Sequence, residues 1–486
     1  MKKIIPLSLG PLVFVIMQFF GAPIGMPENA YTMLAIALWM AVWWVSEVIP
    51  IGVTALLPIV LFPLMGIVDI ATTTESFGHK YIFLYLGGFI LAIAIEKWNL
   101  HKRIALHIIH IIGTDISRII LGFMVATAFL SMWISNTATA VMMLPIGMSI
   151  ISQLKDNPLT KEDENLLFGK ALMLGIAYSA SIGGIATLIG TPPNLVLAGF
   201  IEDSYGIEIT FWQWAKFGFP ISIIMLFICW YYLTRIAFQF KQKEFPGGKQ
   251  EIVKLLKQLG PMQMEEKIVL SVLIFTAFCW ISRSFILEYF FPAIDDTIIA
   301  MIAAIALFLL PSRDIKKSLL SWEDTVKIPW GIILLFGGGM ALATGFDTTG
   351  LALWIGNKLS LLQGVSILFL LLIIVAAVNF ITEMTSNLAT TAMLLPVLAP
   401  LAISLQINPY LLMVGATVAA SCAFMLPVAT PPNAVVFGSG YLKISDMVKA
   451  GFWMNIFTIV LVTFMVYFYL PYVWNFDLKS FSSFLK

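Results

Sequence analysis

The chain has 486 residues, of which 60% are hydrophobic and only 11% charged, and its formal net charge is +1. Soluble domains carry about 25% charged and about 45–50% apolar residues, so an ordinary soluble protein is excluded. The near-neutral balance gives no electrostatic footprint for a nucleic-acid partner.

Lys2 and Lys3 open the chain ahead of an apolar run at 7–20, and no small-residue cleavage site of a signal peptide clearly follows. Further apolar runs lie at 34–45, 53–68, 217–232, 268–281, 297–310, 365–380 and 456–469. Several approach the roughly 20 residues that cross a bilayer core. The expected class is an all-α polytopic membrane protein. Cys229, Cys279 and Cys422 sit in apolar sequence without metal-type spacing and read as buried small hydrophobes. His101, His107 and His110, with Lys102 and Arg103, read as one interfacial amphipathic segment.

Charges gather between the runs. Basic residues mark the N-terminus and the stretches 152–170, 235–267 and 311–327, while 201–216 and 282–296 are acidic. The positive-inside rule places the basic group, including the N-terminus, in the cytoplasm and the acidic pair outside. The run at 241–267 reads as a solvated linker that divides the chain.

The halves on either side of it match. Ser135-Asn136-Thr137-Ala138-Thr139-Ala140-Val141-Met142-Met143-Leu144-Pro145 returns as Ser386-Asn387-Leu388-Ala389-Thr390-Thr391-Ala392-Met393-Leu394-Leu395-Pro396, with seven of eleven positions identical. Leu86-Gly87-Gly88 precedes the first copy, and Phe336-Gly337-Gly338-Gly339 the second. Gly190-Thr191-Pro192-Pro193-Asn194 follows the first, and Ala429-Thr430-Pro431-Pro432-Asn433 the second. Three correspondences in one order make an internal repeat.

Each copy has a chemistry. Ser and Asn are preferred N-caps, and the helix behind them presents free N–H groups and a partial positive charge, which suits an anion. Gly and Pro at matching places in apolar sequence point to discontinuous helices meeting near the membrane midplane. The glycine clusters predict re-entrant hairpins near 81–98 and 328–350. Thr-Pro-Pro-Asn predicts an unwound stretch with exposed carbonyls. Hard cations such as Na+ take oxygen ligands; Ser131, Ser135 and Asn136 offer them in one half, and Thr382, Thr385 and Asn387 in the other, with backbone at Gly190 and Ala429. Glu383, three residues before Ser386, lines the site, carries a proton or braces the hairpin backbone; bracing is the reading adopted. No nucleophile–base pair or metal cluster of an intramembrane enzyme is found.

On both Ser-Asn motifs, both Thr-Pro-Pro-Asn segments, Ser46-Glu47-Val48-Ile49-Pro50, and Ile328-Pro329-Trp330-Gly331 leading into the triple glycine, the chain resembles the divalent anion:sodium symporter family. The resemblance spans residues 46 to 433. It implies an N-terminal helix at 1–30 and a first inverted repeat at 31–240 with its motif at 135–137. After the 241–267 linker, it implies a second repeat at 268–486 with its motif at 386–387. It also implies about 11 transmembrane segments, a homodimer and elevator-type movement.

The activity implied is Na+-coupled symport of C4-dicarboxylates (succinate, malate, fumarate) across the plasma membrane. The alternatives are Na+-independent exchange and Na+- or H+-coupled citrate transport. The resemblance places substrate on Ser135, Asn136, Thr137, Thr191, Ser386, Asn387 and Leu388. It places two Na+ on Ser131, Ser135, Asn136 and Gly190, and on Thr382, Asn387 and Ala429; Thr385 joins the second set as an oxygen donor read from the residues alone. Leu388 departs from the family's Ser-Asn-Thr.

Overall fold

The fold is that of a computed structural model describing residues 4–113, 115–152, 164–240, 248–313, 317–359 and 364–479. Among these the chain is helical almost throughout, with an isolated β-bridge between Pro311 and Ser318. Eight helical segments are long and apolar enough to cross a membrane: Glu28–Ser46, Ile70–Lys97, Asn165–Ile185, Phe211–Ala237, Met264–Phe290, Trp330–Thr348, Asn387–Ser404 and Ile444–Trp474. Seven further apolar helices of 10–17 residues are shorter. Ile274, Phe275 and Phe278 project outward at 56–64% exposure. Water would penalise such a surface, whereas hydrocarbon accepts it.

Charged side chains form two layers at opposite ends of one helix. At the start of Lys80–Lys97, Lys80 Nζ lies 2.6 Å from Glu202 and within 4 Å of Glu208 and Asp295. Arg283 meets Glu208 at 2.7 Å in the same layer. At the other end, Lys97 pairs with Asp324 at 2.7 Å, and nearby Arg103 with Glu266 at 3.0 Å. Eighteen helical residues separate the layers by about 27 Å, close to the hydrocarbon thickness. The acidic stretches 201–216 and 282–296 therefore share one end, and 311–327 and the described part of 235–267 the other. Lys155 and Lys161 lie outside the described residues.

The glycine clusters do not make hairpins. Lys80–Lys97 runs unbroken through Gly87-Gly88, and Trp330–Thr348 through Gly337-Gly338-Gly339. The expectation of hairpins near 81–98 and 328–350 fails because an apolar setting offers no other partner for freed backbone groups. That outweighs the cost of about 1 kcal/mol for each helical glycine. The glycines serve close packing. A Cβ on Gly87 would lie 2.7 Å from Ala300 Cβ, and one on Gly338 2.5 Å from the Ala55 carbonyl. The chain turns instead at the Ser-Asn motifs, between Ile116–Ser131 and Asn136–Ile151 and between Ile367–Ile381 and Asn387–Ser404.

The 241–267 segment is more than a solvated linker. Residues 241–247 lie outside the description, but Gly248–Gln258 is an amphipathic helix with Ile252 fully buried. It packs on Leu100–Ile112 and Asn136–Ile151, and Ser149 Oγ donates to Glu251 at 3.3 Å.

The halves are interlocked. The short helix Pro431–Phe437 packs on Asn136–Ile151 and Glu164–Ile185, while Pro192–Tyr205 packs on Asn387–Ser404. Each Thr-Pro-Pro-Asn helix thus lies against the other half's motif helix, which brings the two motifs into one region.

Candidate functional site

In the first half, Ser135 is the N-cap of Asn136–Ile151, with extended backbone (φ −56°, ψ 142°), and its Oγ accepts from Ala138 N at 3.2 Å. This is the cap that Ser at the head of an apolar run predicts. Ser131, buried at the end of the preceding helix, donates from Oγ to Asn136 Oδ1 at 2.6 Å. Thr137 is exposed on the first turn.

Opposite, Glu164–Ile185 gives way to a non-helical stretch ending at Thr191, and the helix resumes at Pro192. Pro at the first helical position needs no N–H partner, so it fixes the restart. Gly190 and Thr191 are both buried here. A Cβ on Gly184 would lie 2.6 Å from Asn136 Oδ1 and 3.1 Å from the Gly190 carbonyl oxygen. These two oxygens converge on a space that only glycine leaves open.

In the second half, Thr382 Oγ1 donates to Asn387 Oδ1 at 2.8 Å and lies 2.9 Å from the Ala420 carbonyl. Ser386 is the N-cap, without a side-chain bond to the helix. Thr385 bonds the Ile381 carbonyl at 3.0 Å and Thr390 Oγ1 at 2.7 Å. Its hydroxyl is spent within the hairpin, so Thr382, not Thr385, meets Asn387. Leu388 is 5% exposed, unlike Thr137 at the matching place. Ala429 is buried in the break between Pro409–Ala420 and Pro431–Phe437.

Several residues that shape these breaks were not singled out from sequence. Asn194 donates from Nδ2 to the carbonyls of Gly184 at 3.3 Å and Thr187 at 2.8 Å. Asn433 does the same to Ala423 at 3.3 Å and Leu426 at 3.0 Å. Both side chains are buried, and both Oδ1 atoms lack a protein partner. Thr187 Oγ1 donates to the Met132 carbonyl at 2.6 Å, tying the first break to the first turn. Asn379 donates to the Cys422 carbonyl at 2.6 Å. The Asn of each Thr-Pro-Pro-Asn was visible as a repeated letter; its bonding partners, ten and seven residues upstream, were not.

Glu383 braces backbone. Its carboxylate accepts from Phe424 N (2.8 Å), Met425 N (3.0 and 3.1 Å), Leu426 N (3.1 Å) and Asn455 Nδ2 (2.7 Å). A Cβ on Gly451, one turn before Asn455, would lie 2.5 Å from Met425 Cα, so the final helix presses directly on this loop.

The arrangement offers two sets of neutral hydroxyl, amide and carbonyl oxygens beside two helix N-termini. Convergent oxygens and buried oxygens lacking a donor suit a hard monovalent cation, and the N-termini suit a carboxylate. Among the described residues no group of three or more His, Cys, Asp or Glu is placed to hold a metal ion.

A family model described as the sodium:sulfate symporter transmembrane region matches residues 1–475. A protein named sodium-dependent dicarboxylate transporter SdcS, from Staphylococcus saprophyticus, is 46% identical over 485 residues, covering 98% of this chain and 93% of its own length. Its namesake from Staphylococcus aureus strain USA300 is 44% identical over 484 residues, with the same coverage. Two solved transporters share the fold at low identity. MtrF of Neisseria gonorrhoeae, from a class of antimetabolite efflux pumps, gives a TM-score of 0.57 at 11% identity over 96% of this chain and 98% of that one. The YdaH transporter of Alcanivorax borkumensis gives 0.59 at 14% identity over 83% and 88%.

Proposed function

The chain belongs to the sodium:sulfate symporter family, and from that premise we propose that it is a secondary active transporter carrying C4-dicarboxylates together with Na+ across the plasma membrane. Transport, not enzymatic turnover, is the activity of the family and of the relatives. The observation that carries the reading is the doubled oxygen site. Ser131–Asn136 and Thr382–Asn387 repeat one hydrogen bond in two halves.

The substrate's carboxylates face neutral donors: Ser135, Asn136, Thr137 and Thr191 from one half, Ser386 and Asn387 from the other, with Leu388 as an apolar wall. The helix N-termini behind Ser135 and Ser386 add partial positive charge. No Lys or Arg stands among these residues, so the divalent anion takes its compensating charge from co-bound cations. One Na+ is held by Ser131, Ser135, Asn136 and the Gly190 carbonyl. A second is held by Thr382, Asn387 and the Ala429 carbonyl. Anion and cations then raise each other's affinity by the same factor, which is what couples their movement.

The two halves act as inverted repeats, and the hairpins carrying the motifs move as an elevator against a scaffold formed by the early helices of each half. The basic polar layer, with the N-terminus, faces the cytoplasm, and two chains form a homodimer. The test of the site is transport by Asn136→Ala and Asn387→Ala. Each is expected to abolish Na+-driven dicarboxylate uptake while the purified protein stays monodisperse. Full activity in either removes that half from the site.

A further inference from the structure

The spans Phe211–Ala237 and Ile444–Trp474 run antiparallel between the two polar layers. Phe211 N donates to Asp296 Oδ2 at 2.6 Å, and Trp474 Nε1 donates to the Gln213 carbonyl at 2.9 Å. The first span therefore begins, and the second ends, at the acidic layer. Their other ends meet at the basic layer. There the first closes in a π turn, Tyr232–Ala237, with Phe238 N on the Leu233 carbonyl at 3.1 Å, and the chain leaves extended at Phe238. Beside this end lies a cavity of about 540 Å³ that both spans line. Small-ligand pockets measure about 300–1,000 Å³.

Its walls divide by chemistry. Ile236, Phe452 and Trp453 are apolar and 41–55% exposed, a surface that acyl chains accept and water does not. Lys449, exposed one turn before Trp453, has no ion-pair partner among the described residues. The carboxylate in the wall, Asp446, is held by Lys170 at 3.0 Å, so the charge left at the opening is positive. Arg235, exposed beside Ile236, adds to it.

Tyr232 is 5% exposed and lines the cavity, yet its hydroxyl has no hydrogen-bond partner among the described residues. Buried phenols usually find one. Interfacial aromatic packing accounts for Trp453 but leaves this donor unused. A cation and an unused O–H beside an apolar wall match a phosphodiester headgroup whose acyl chains run toward the bilayer core.

We propose that this cavity binds an anionic phospholipid of the leaflet at the basic end. Its phosphate meets Lys449 and the Tyr232 hydroxyl, and its chains lie along Ile236, Phe452 and Trp453. The assignment does not depend on what the chain carries, but it bears on the second break. On the opposite face of the same helix, Gly451 lies against Met425 and Asn455 donates to Glu383. A bound lipid thus steadies the helix that supports the loop carrying Ala429.

The test uses the full chain, purified and stripped of lipid in a neutral detergent. Binding of short-chain phosphatidylglycerol, matched phosphatidylcholine and glycerol phosphate is followed by thermal shift and by lipid retained per chain. Phosphatidylglycerol is expected to bind saturably and raise the melting temperature, and the zwitterionic lipid to bind far more weakly. Lys449→Gln should weaken the anionic lipid about five- to tenfold, and Tyr232→Phe about threefold. Lys449 is exposed and the Tyr232→Phe change keeps the ring, so neither variant disturbs the packing. Lys257→Gln, which removes an exposed cation at the same end but outside the cavity, should bind as wild type. Equal binding of the two lipids, wild-type affinity in Lys449→Gln, or equal losses in Lys449→Gln and Lys257→Gln would each overturn the proposal. Glycerol phosphate binding as tightly as the lipid would overturn it too, since the ligand would then be a soluble phosphate.

Discussion

Asn194 and Asn433 occupy the same place in the two halves and make the same pair of bonds. Each amide spans a break in its helix and holds two backbone carbonyls at 2.8–3.3 Å. The carbonyl of the closer bond also accepts the N–H of the expected ligand residue: Thr187 O from Gly190 N at 3.3 Å, Leu426 O from Ala429 N at 3.2 Å. Asn194 and Asn433 thus hold in place the turns that carry Gly190 and Ala429. Residues that orient metal ligands typically cost about 10–100-fold in affinity when lost. Asn194→Ala and Asn433→Ala should each weaken apparent Na+ affinity in that range, measured by Na+ titration of uptake, with a smaller change in substrate affinity at saturating Na+.

Gly184→Ala tests the convergence of oxygens in the first half. The added methyl would fill the space shared by Asn136 Oδ1 and the Gly190 carbonyl, at 2.6 and 3.1 Å. We expect Na+-dependent uptake to fall at least about tenfold with little change in thermal stability. Unchanged Na+ dependence would place the cation elsewhere.

Gly87→Val tests the packing role that replaced the expected hairpin. Its Cβ would meet Ala300 Cβ at 2.7 Å and the Ala300 carbonyl oxygen at 2.9 Å. Overpacking of this kind costs about 1–3 kcal/mol, so a lowered melting temperature of the detergent-purified protein is expected.

The acidic polar layer predicts a pH response. Burial pushes the Glu208 carboxyl up, but the hydrogen bond and charge of Arg283, with Lys80, win and hold it below its ordinary 4.5. A depressed carboxylate adds stability above its unfolded value, and that stability is lost as pH falls through the folded one. Melting temperature should therefore drop as pH falls below about 4.5. Glu208→Gln should lower it slightly near neutrality and flatten that acid limb. An identical acid limb in the variant would remove Glu208 from the account.

The repeat, the helical class and the oxygen-rich motifs were legible because they are local: a cap, a proline, a polar letter in an apolar run. Ser135 caps its helix as its position predicts. The glycine clusters misled because the same residue serves a turn or a close contact. Sequence does not say that Ala300 lies against Gly87. Thr382 and Thr385 read alike in sequence as oxygen donors near Asn387; only the fold shows Thr382 meeting the Asn387 amide oxygen while Thr385 bonds Ile381 and Thr390. The roles of Thr187, Asn194 and Asn455 depend on partners across a break or on another helix. Gly218 and Ser222 stand on Phe211–Tyr231 as Gly451 and Asn455 do on Ile444–Phe464, a correspondence visible only once Ser222 is seen bonding Ile182 and Asn455 bonding Glu383.

The most direct measurement of the central claim is uptake of radiolabelled succinate into proteoliposomes under an inward Na+ gradient, against matched choline. The account predicts accumulation above equilibrium that collapses when the Na+ gradient is dissipated. Uptake equal in Na+ and choline, and driven instead by internal dicarboxylate, would contradict it and leave the doubled oxygen site to the anion alone.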